Sequence, residues 1–186
     1  MNSNRSIAII CGSLRKDSYN RKLMNLISEK APDHWTVAEI QIETLPFYNA
    51  DIEAEGDPES VHNLKEAIGH ADGVIVVTPE YNSGTPAVLK NALDWASRPV
   101  KTTVLKQKPF AIAGASPGGA GSAHSQNQVR QTLLTLDAYT MPGPKLLVSA
   151  VHQKLNDEQT ALNDEGTVRR VEKFVTSFDA WINHFN

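Results

Sequence analysis

Residues 73 to 99 read GVIVVTPEYNSGTPAVLKNALDWASRP. An apolar run of strand length, GVIVVT at 73 to 78, gives way to a loop of turn formers. Val88, Leu89, Ala92, Leu93 and Ala96 then recur at steps of three and four, the signature of a helix with one apolar face. A strand that is apolar throughout, without alternation, is buried on both faces, which is the condition of a parallel sheet whose crossovers are helices. Thr85 before Pro86 places a hydroxyl at the N-cap and a proline at the first helical position, so a helix is expected from 86 to about 97. Its polar positions, Lys90, Asn91 and Asp94, fall off the apolar stripe and face water or a partner.

The same unit repeats outward along the chain. RSIAIIC at 5 to 11, WTVAEIQI at 35 to 42, PFAIAGA at 109 to 115 and KLLVSAV at 145 to 151 complete five strands with 73 to 78. Leu23, Leu26 and Ile27, then Val61, Leu64 and Ile68, then Val129, Leu133 and Leu136 mark helices between them. Val168, Val171, Val175, Phe178, Ile182 and Phe185 mark a long last helix that should cover one sheet face. Strict alternation of strand and helix gives a doubly wound α/β fold with a five-stranded parallel sheet. NADIEAEGDPE at 49 to 59 is read as a loop inserted in the alternation, and residues 1–186 as one domain.

Composition narrows the function. One cysteine among 186 residues makes no intrachain disulfide and suits a reducing cytoplasm, and Cys11 itself reads as a small buried hydrophobe. The opening MNSNRS lacks the basic and apolar regions of a secretory leader, and no apolar run reaches the roughly 18 residues that span a bilayer. A net charge of −3 without a Lys/Arg block argues against nucleic acid. The histidines at 34, 62, 70, 124, 152 and 184 show no metal-ligand spacing, so no metal site is expected. Trp35, Trp95 and Trp181 are expected in the core or at an interface.

In a sheet of this kind ligands bind beyond the carboxyl ends of the strands, where connections diverge to opposite faces. The loops there are GSLRKDSYN (12 to 20), TPEYNSGTP (78 to 86) and GASPGGAGS (114 to 122), which hold 6 of the 11 glycines. The first offers Ser13, Arg15, Ser18 and Asn20 at a helix start, donors suited to a phosphate monoester or equally to ordinary capping. Neither GxxxxGK[ST] nor GxGxxG follows the first strand, which disfavours nucleoside triphosphates and dinucleotides held in the usual way. In the second loop, Pro79, Glu80, Tyr81, Asn82, Ser83 and Gly84 could line a flat heteroaromatic ring or simply form a turn. The third is too glycine-rich for a plain connection, and its backbone is expected against a ligand. It also contains G-x-S-x-G at 114 to 118, with Asp137 and His152 downstream in triad order. A serine-hydrolase elbow needs an N–H on the residue after the serine, however, and that residue is Pro117.

Taken together, GSLRKDSYNRKL at 12 to 23, PEYNSGTPAVLKNALDWASRP at 79 to 99 and GASPGGAGS at 114 to 122 resemble the NADPH-dependent FMN reductase family, to which chromate, quinone and azo reductases are similar. The resemblance implies a flavodoxin-like fold with sheet order 2-1-3-4-5. It implies that Ser13, Arg15, Ser18, Tyr19 and Asn20 hold the FMN phosphate and that Pro79, Glu80, Tyr81, Asn82 and Ser83 border the isoalloxazine. Ser116, Gly118 and Gly119 would meet its other side. It further implies hydride transfer from NAD(P)H to flavin N5, ping-pong kinetics, and acceptors such as quinones, azo compounds, free flavin or chromate. No catalytic side chain is assigned. A homodimer or homotetramer is implied as well, with Trp95, Arg98 and the 48 to 57 loop as candidate contacts. The competing class is an FMN electron carrier docking on proteins, which the weak net charge and the lack of a T-x-T-G loop disfavour.

Overall fold

The computed structural model of the chain describes residues 4–185. Strand β1 (Arg5–Cys11) leads through helix α1 (Tyr19–Glu29) to β2 (Trp35–Glu39), and helices α2 (Ala50–Glu55) and α3 (Glu59–His70) precede β3 (Gly73–Val77). Then come α4 (Ala87–Ala96), β4 (Pro109–Ala115), α5 (Ala123–Thr135), β5 (Tyr139–Thr140), β6 (Leu146–Val148) and α6 (Glu165–Ile182). Every pairing between these strands is parallel, in the order β2-β1-β3-β4-β5, with β6 also along β4. This is the expected flavodoxin-like sheet.

Successive strand side chains point to opposite faces, and the core divides accordingly. Ile7, Ile9, Ile75 and Val77 pack under α1 and α6, whereas Ala8, Ile10, Val74 and Val76 pack under α3, α4 and α5. Residues 7–11 of β1 and all of β3 are therefore apolar because both faces are covered. Trp95, Phe174 and Phe178 are fully buried, and each such side chain contributes about 1.5–3 kcal/mol by leaving water. At the end of the sheet where β1 begins, Asp179 of α6 accepts hydrogen bonds from His34 Nε2 at 2.9 Å and Trp35 Nε1 at 2.8 Å and pairs with Arg5 at 3.0 Å. Burial acts to raise the Asp179 carboxyl. The two hydrogen bonds and the Arg5 charge outweigh it and hold the group below the ordinary aspartate range.

Four local expectations are corrected. The expected strand at 145 to 151 is only β6, and the same edge of β4 is first paired by β5, with Pro109 opposite Tyr139 and Ala113 opposite Leu146. Between them Pro142 and Pro144 lack the N–H that would continue the ladder, and Ala150 at φ +46° turns the chain away afterwards. Residues 50–55 of the supposed 49 to 59 loop form α2, capped by Asn49, whose side chain accepts the Asp51 N–H at 2.9 Å. Pro86, not Thr85, is the N-cap of α4; the Thr85 hydroxyl instead donates to the Ser125 carbonyl at 3.3 Å. Trp95 is not a subunit contact. It has no exposed surface and donates Nε1–H to the Pro46 carbonyl at 2.8 Å, while Asn91 holds the same segment through Pro46 and Tyr48.

Candidate functional site

Helix α1 leaves β1 toward one face and α4 leaves β3 toward the other, so the sheet diverges between these two strands. The three loops meet there around a cleft of about 270 Å³. Ser13, Arg15, Ser18, Tyr19, Asn20, Pro79, Glu80, Tyr81 and Ser116 line it, together with Ala115 and Pro117. Asn82, Ser83, Gly118 and Gly119 do not, and all four stand exposed around it.

The α1 end of the cleft gathers donors of the kind an anion needs. Ser18 is the N-cap and accepts the Asn20 N–H at 3.2 Å. Among the described residues the N–H groups of Tyr19 and Arg21 have no protein acceptor. Unpaired first-turn N–H groups carry partial positive charge, and the Ser13 and Ser18 hydroxyls and the exposed Arg15 fork add donors beside them. Asn20 has another task. Its buried amide accepts the Ala115 N–H at 2.9 Å and donates to the Ala115 carbonyl at 3.0 Å, clipping α1 to the end of β4. Nearby Lys22 hydrogen-bonds Asp17 and holds that carboxyl below its usual range.

In the second loop Tyr81 and Gly84 exchange both backbone hydrogen bonds, at 3.2 and 2.9 Å, around Asn82 and Ser83 at φ +50° and +59°. A two-residue hairpin turn with both central residues left-handed favours Asn and tolerates Ser at a cost. Pro79 is buried and Tyr81 half exposed, so the cleft has an apolar wall on this side. Beyond Ser13, Arg15 and Tyr81, a second hollow of about 460 Å³ continues over Leu14, Pro86, Ala87 and Val88.

The third loop's glycines divide in two. A methyl on Gly114 would collide with Ser122 Oγ and the Thr78 carbonyl, and Gly121 sits at φ +56° against the β6 backbone. Those two serve internal packing, whereas nothing within the protein lies within 4 Å of a methyl at Gly119, and Gly118 would meet only Ser116 Oγ, at 3.4 Å. Ser116 Oγ accepts the Gly118 N–H at 3.0 Å. Asp137 cannot join it in a triad. It precedes Tyr139, which pairs at the start of β4, while Ser116 follows the strand's end, roughly 20 Å away at the usual rise per residue. Burial pushes the Cys11 thiol up, so it stays protonated. Among the described residues no cluster of His, Cys, Asp or Glu could hold a metal, and no helix is long and apolar enough to cross a membrane.

Residues 5–153 match the family described as NADPH-dependent FMN reductase. The chain belongs to that family. FMN and NAD(P)H are accordingly its cofactor and electron donor, and the open first turn of α1 with its hydroxyls and arginine fits the phosphate of such a cofactor. A quinone reductase of Pseudomonas putida is 40% identical over 177 residues, covering 95% of this chain and 94% of its own. A quinone reductase of Escherichia coli K12 is 36% identical over 184 residues, with 98% and 97% covered. Among solved structures, the flavoenzyme NAD(P)H:(acceptor) oxidoreductase FerB from Paracoccus denitrificans superposes with a TM-score of 0.89 at 37% identity, covering 97% of this chain and 98% of its own.

Sequence reasoning misses the residues that hold this site together from behind, namely Thr78, Ser122, Ser125, Gln126 and Gln128. One signal does exist. Ser122, Ser125 and Gln126 continue the Val129 and Leu133 stripe at helical spacing, and polar residues on a buried face imply a hydrogen-bonding duty.

Proposed function

We propose that the chain is an FMN-dependent NAD(P)H:quinone oxidoreductase. The carrying observation is the meeting of three loops, from β1, β3 and β4, on one cleft with an anion-binding helix start at one end and an apolar wall at the other. In this reading Ser13, Arg15, Ser18 and the Tyr19 and Arg21 N–H groups hold the phosphate. Pro79, Tyr81, Asn82 and Ser83 border one side of the ring, with Ser116, Gly118 and Gly119 at the other. Bound FMN supplies the redox chemistry, taking a hydride from NAD(P)H and returning electrons to an acceptor.

The protein's own part is to hold and orient. Asn20 fixes the distance between the first and third loops, and the second loop sets the apolar wall. Of the polar groups lining the cleft, Glu80 Oε2 accepts two backbone N–H groups and Ser116 Oγ accepts the Gly118 N–H, and no proton donor is assigned among them. The adjoining hollow, with Leu14, Pro86, Ala87 and Val88, offers apolar contact and few donors, which favours a flat carbocyclic quinone over an oxyanion such as chromate.

The same proposal takes residues 1–186 as one cytoplasmic FMN-binding unit that assembles as a homodimer or homotetramer. Arg98 and the 48 to 57 segment remain its candidate contacts. Arg98 stands 4.9 Å over the Tyr48 ring.

The test is one absorbance experiment on protein incubated with FMN, desalted, and mixed anaerobically with NADPH or NADH. Retained flavin that bleaches within a turnover time supports the reading, and parallel double-reciprocal plots with a quinone support ping-pong exchange at a shared site. Retained flavin that stays oxidised with both nucleotides points to an electron carrier. Loss of FMN on desalting rejects the reading of all three loops.

A further inference from the structure

Helix α5 does not cap itself. Its N-cap, Ser122, is left-handed at φ +69° and makes no side-chain cap; its hydroxyl takes a hydrogen bond from Gln126 Nε2 at 3.3 Å instead. The cap comes from the β3–α4 loop. Glu80 Oε2 accepts the N–H groups of His124 at 2.8 Å and Ser125 at 3.1 Å, and a carboxylate is the group a helix N-terminus holds best. One turn further along α5, Gln128 accepts the Thr85 N–H at 2.9 Å and donates to the Ser83 carbonyl at 3.2 Å. Between these two ties the Thr78 and Ser125 hydroxyls meet at 2.7 Å, buried.

The Asn82–Ser83 turn is thus fastened to α5 on both sides. That turn needs fastening, because two successive left-handed non-glycine residues relax toward ordinary backbone when released. The glycine loop at 116 to 121 runs directly into α5, so both loops flanking the candidate flavin site hang on one helix.

We propose that Glu80 and Gln128 are positioning residues that join these two loops into one rigid jaw and thereby set how tightly FMN is held. Glu80 then serves through α5 and is neither a ring donor nor a proton source. This rests on the FMN reading above. Gln128 lines neither cleft, so it can influence FMN only through the loop.

Glu80→Ala, Glu80→Gln and Gln128→Ala are compared with the wild type by melting temperature of the apo-protein, FMN dissociation constant from flavin fluorescence, and amide exchange at residues 80–85 and 123–125. Loss of two charge-assisted bonds or of the Gln128 bridge should each raise the dissociation constant about tenfold. Exchange should quicken in both segments. Glu80→Gln keeps an oxygen that accepts both N–H groups and should recover most of the loss. If Glu80→Ala does not fold, Gln128→Ala carries the test. FMN bound as tightly by Gln128→Ala as by the wild type overturns the proposal and leaves the flavin reading standing. Glu80→Gln as weak as Glu80→Ala with unchanged exchange means the charge acts on flavin directly and also overturns it. A wild type that binds no FMN overturns the functional reading itself.

Discussion

Asn20→Ala separates a structural from a ligand-binding role for the first loop. The Asn20 side chain is 3% exposed and satisfies both backbone groups of Ala115, at 2.9 and 3.0 Å. Truncation leaves a buried N–H and a buried carbonyl without partners, at about 1–3 kcal/mol each. Asn20 borders the cleft, so water can reach part of the vacated space, and the expected loss is toward the lower end, about 2–3 kcal/mol in all. For a chain of this size that lowers the melting temperature by about 4–12 °C. The assay is thermal and urea unfolding of the apo-protein, in which no ligand contact contributes. Asn20→Asp should be no milder, since its carboxylate can accept the Ala115 N–H but would repel the Ala115 carbonyl. An apo-protein as stable as the wild type, with FMN affinity lost, would refute the clip and make Asn20 a direct phosphate ligand.

Two further predictions follow from the same geometry. Gly114→Ala should cost about 3 kcal/mol or more of apo-protein stability, because its methyl meets Ser122 Oγ and a backbone carbonyl that cannot both move; Gly119→Ala, with open space around it, should leave unfolding unchanged and weaken only FMN binding, read by titration. Asp179 makes stability depend on acid: its folded pKa lies below the unfolded value of about 3.9, so its contribution is complete above that pH and is lost as pH falls from there through the folded pKa. Asp179→Asn should flatten the unfolding free energy below about pH 4, and an unchanged slope in urea titrations at several pH values would contradict the network.

What the sequence reveals and what it hides divide by the range of the interaction. Apolar runs at 7 to 11 and 73 to 77 disclose the buried strands because burial on two faces leaves no polar position to mistake. Ser18 is legible as a cap because it acts two residues away, on Asn20. The cap on α5 is not, since Glu80 reaches it from 44 positions upstream and only the folded sheet brings them together. The same holds for Asn20 and Ala115, 95 positions apart, whose pairing gives a residue read as a phosphate donor a structural duty as well. Run length misplaces the last strand for a related reason: KLLVSAV counts apolar residues, but a ladder needs donors opposite β4, and those lie partly before Pro142.

Glycine shows the limit most clearly. GASPGGAGS reads as one ligand-facing loop because composition treats its four glycines alike. Their requirement is set by what approaches each Cα. At Gly114 and Gly121 it is the protein itself, through Ser122, Thr78 and the β6 backbone. At Gly118 and Gly119 no internal backbone lies within 4 Å of where a Cβ would stand. The two that packing does not explain are the two a ligand would explain under the proposed function, and they stand beside the cleft that the start of α1 opens into. Ligand-facing glycines are therefore recognised by subtraction, which requires coordinates. The Gly114→Ala and Gly119→Ala pair is informative for that reason, since the fold should register one substitution and FMN binding the other.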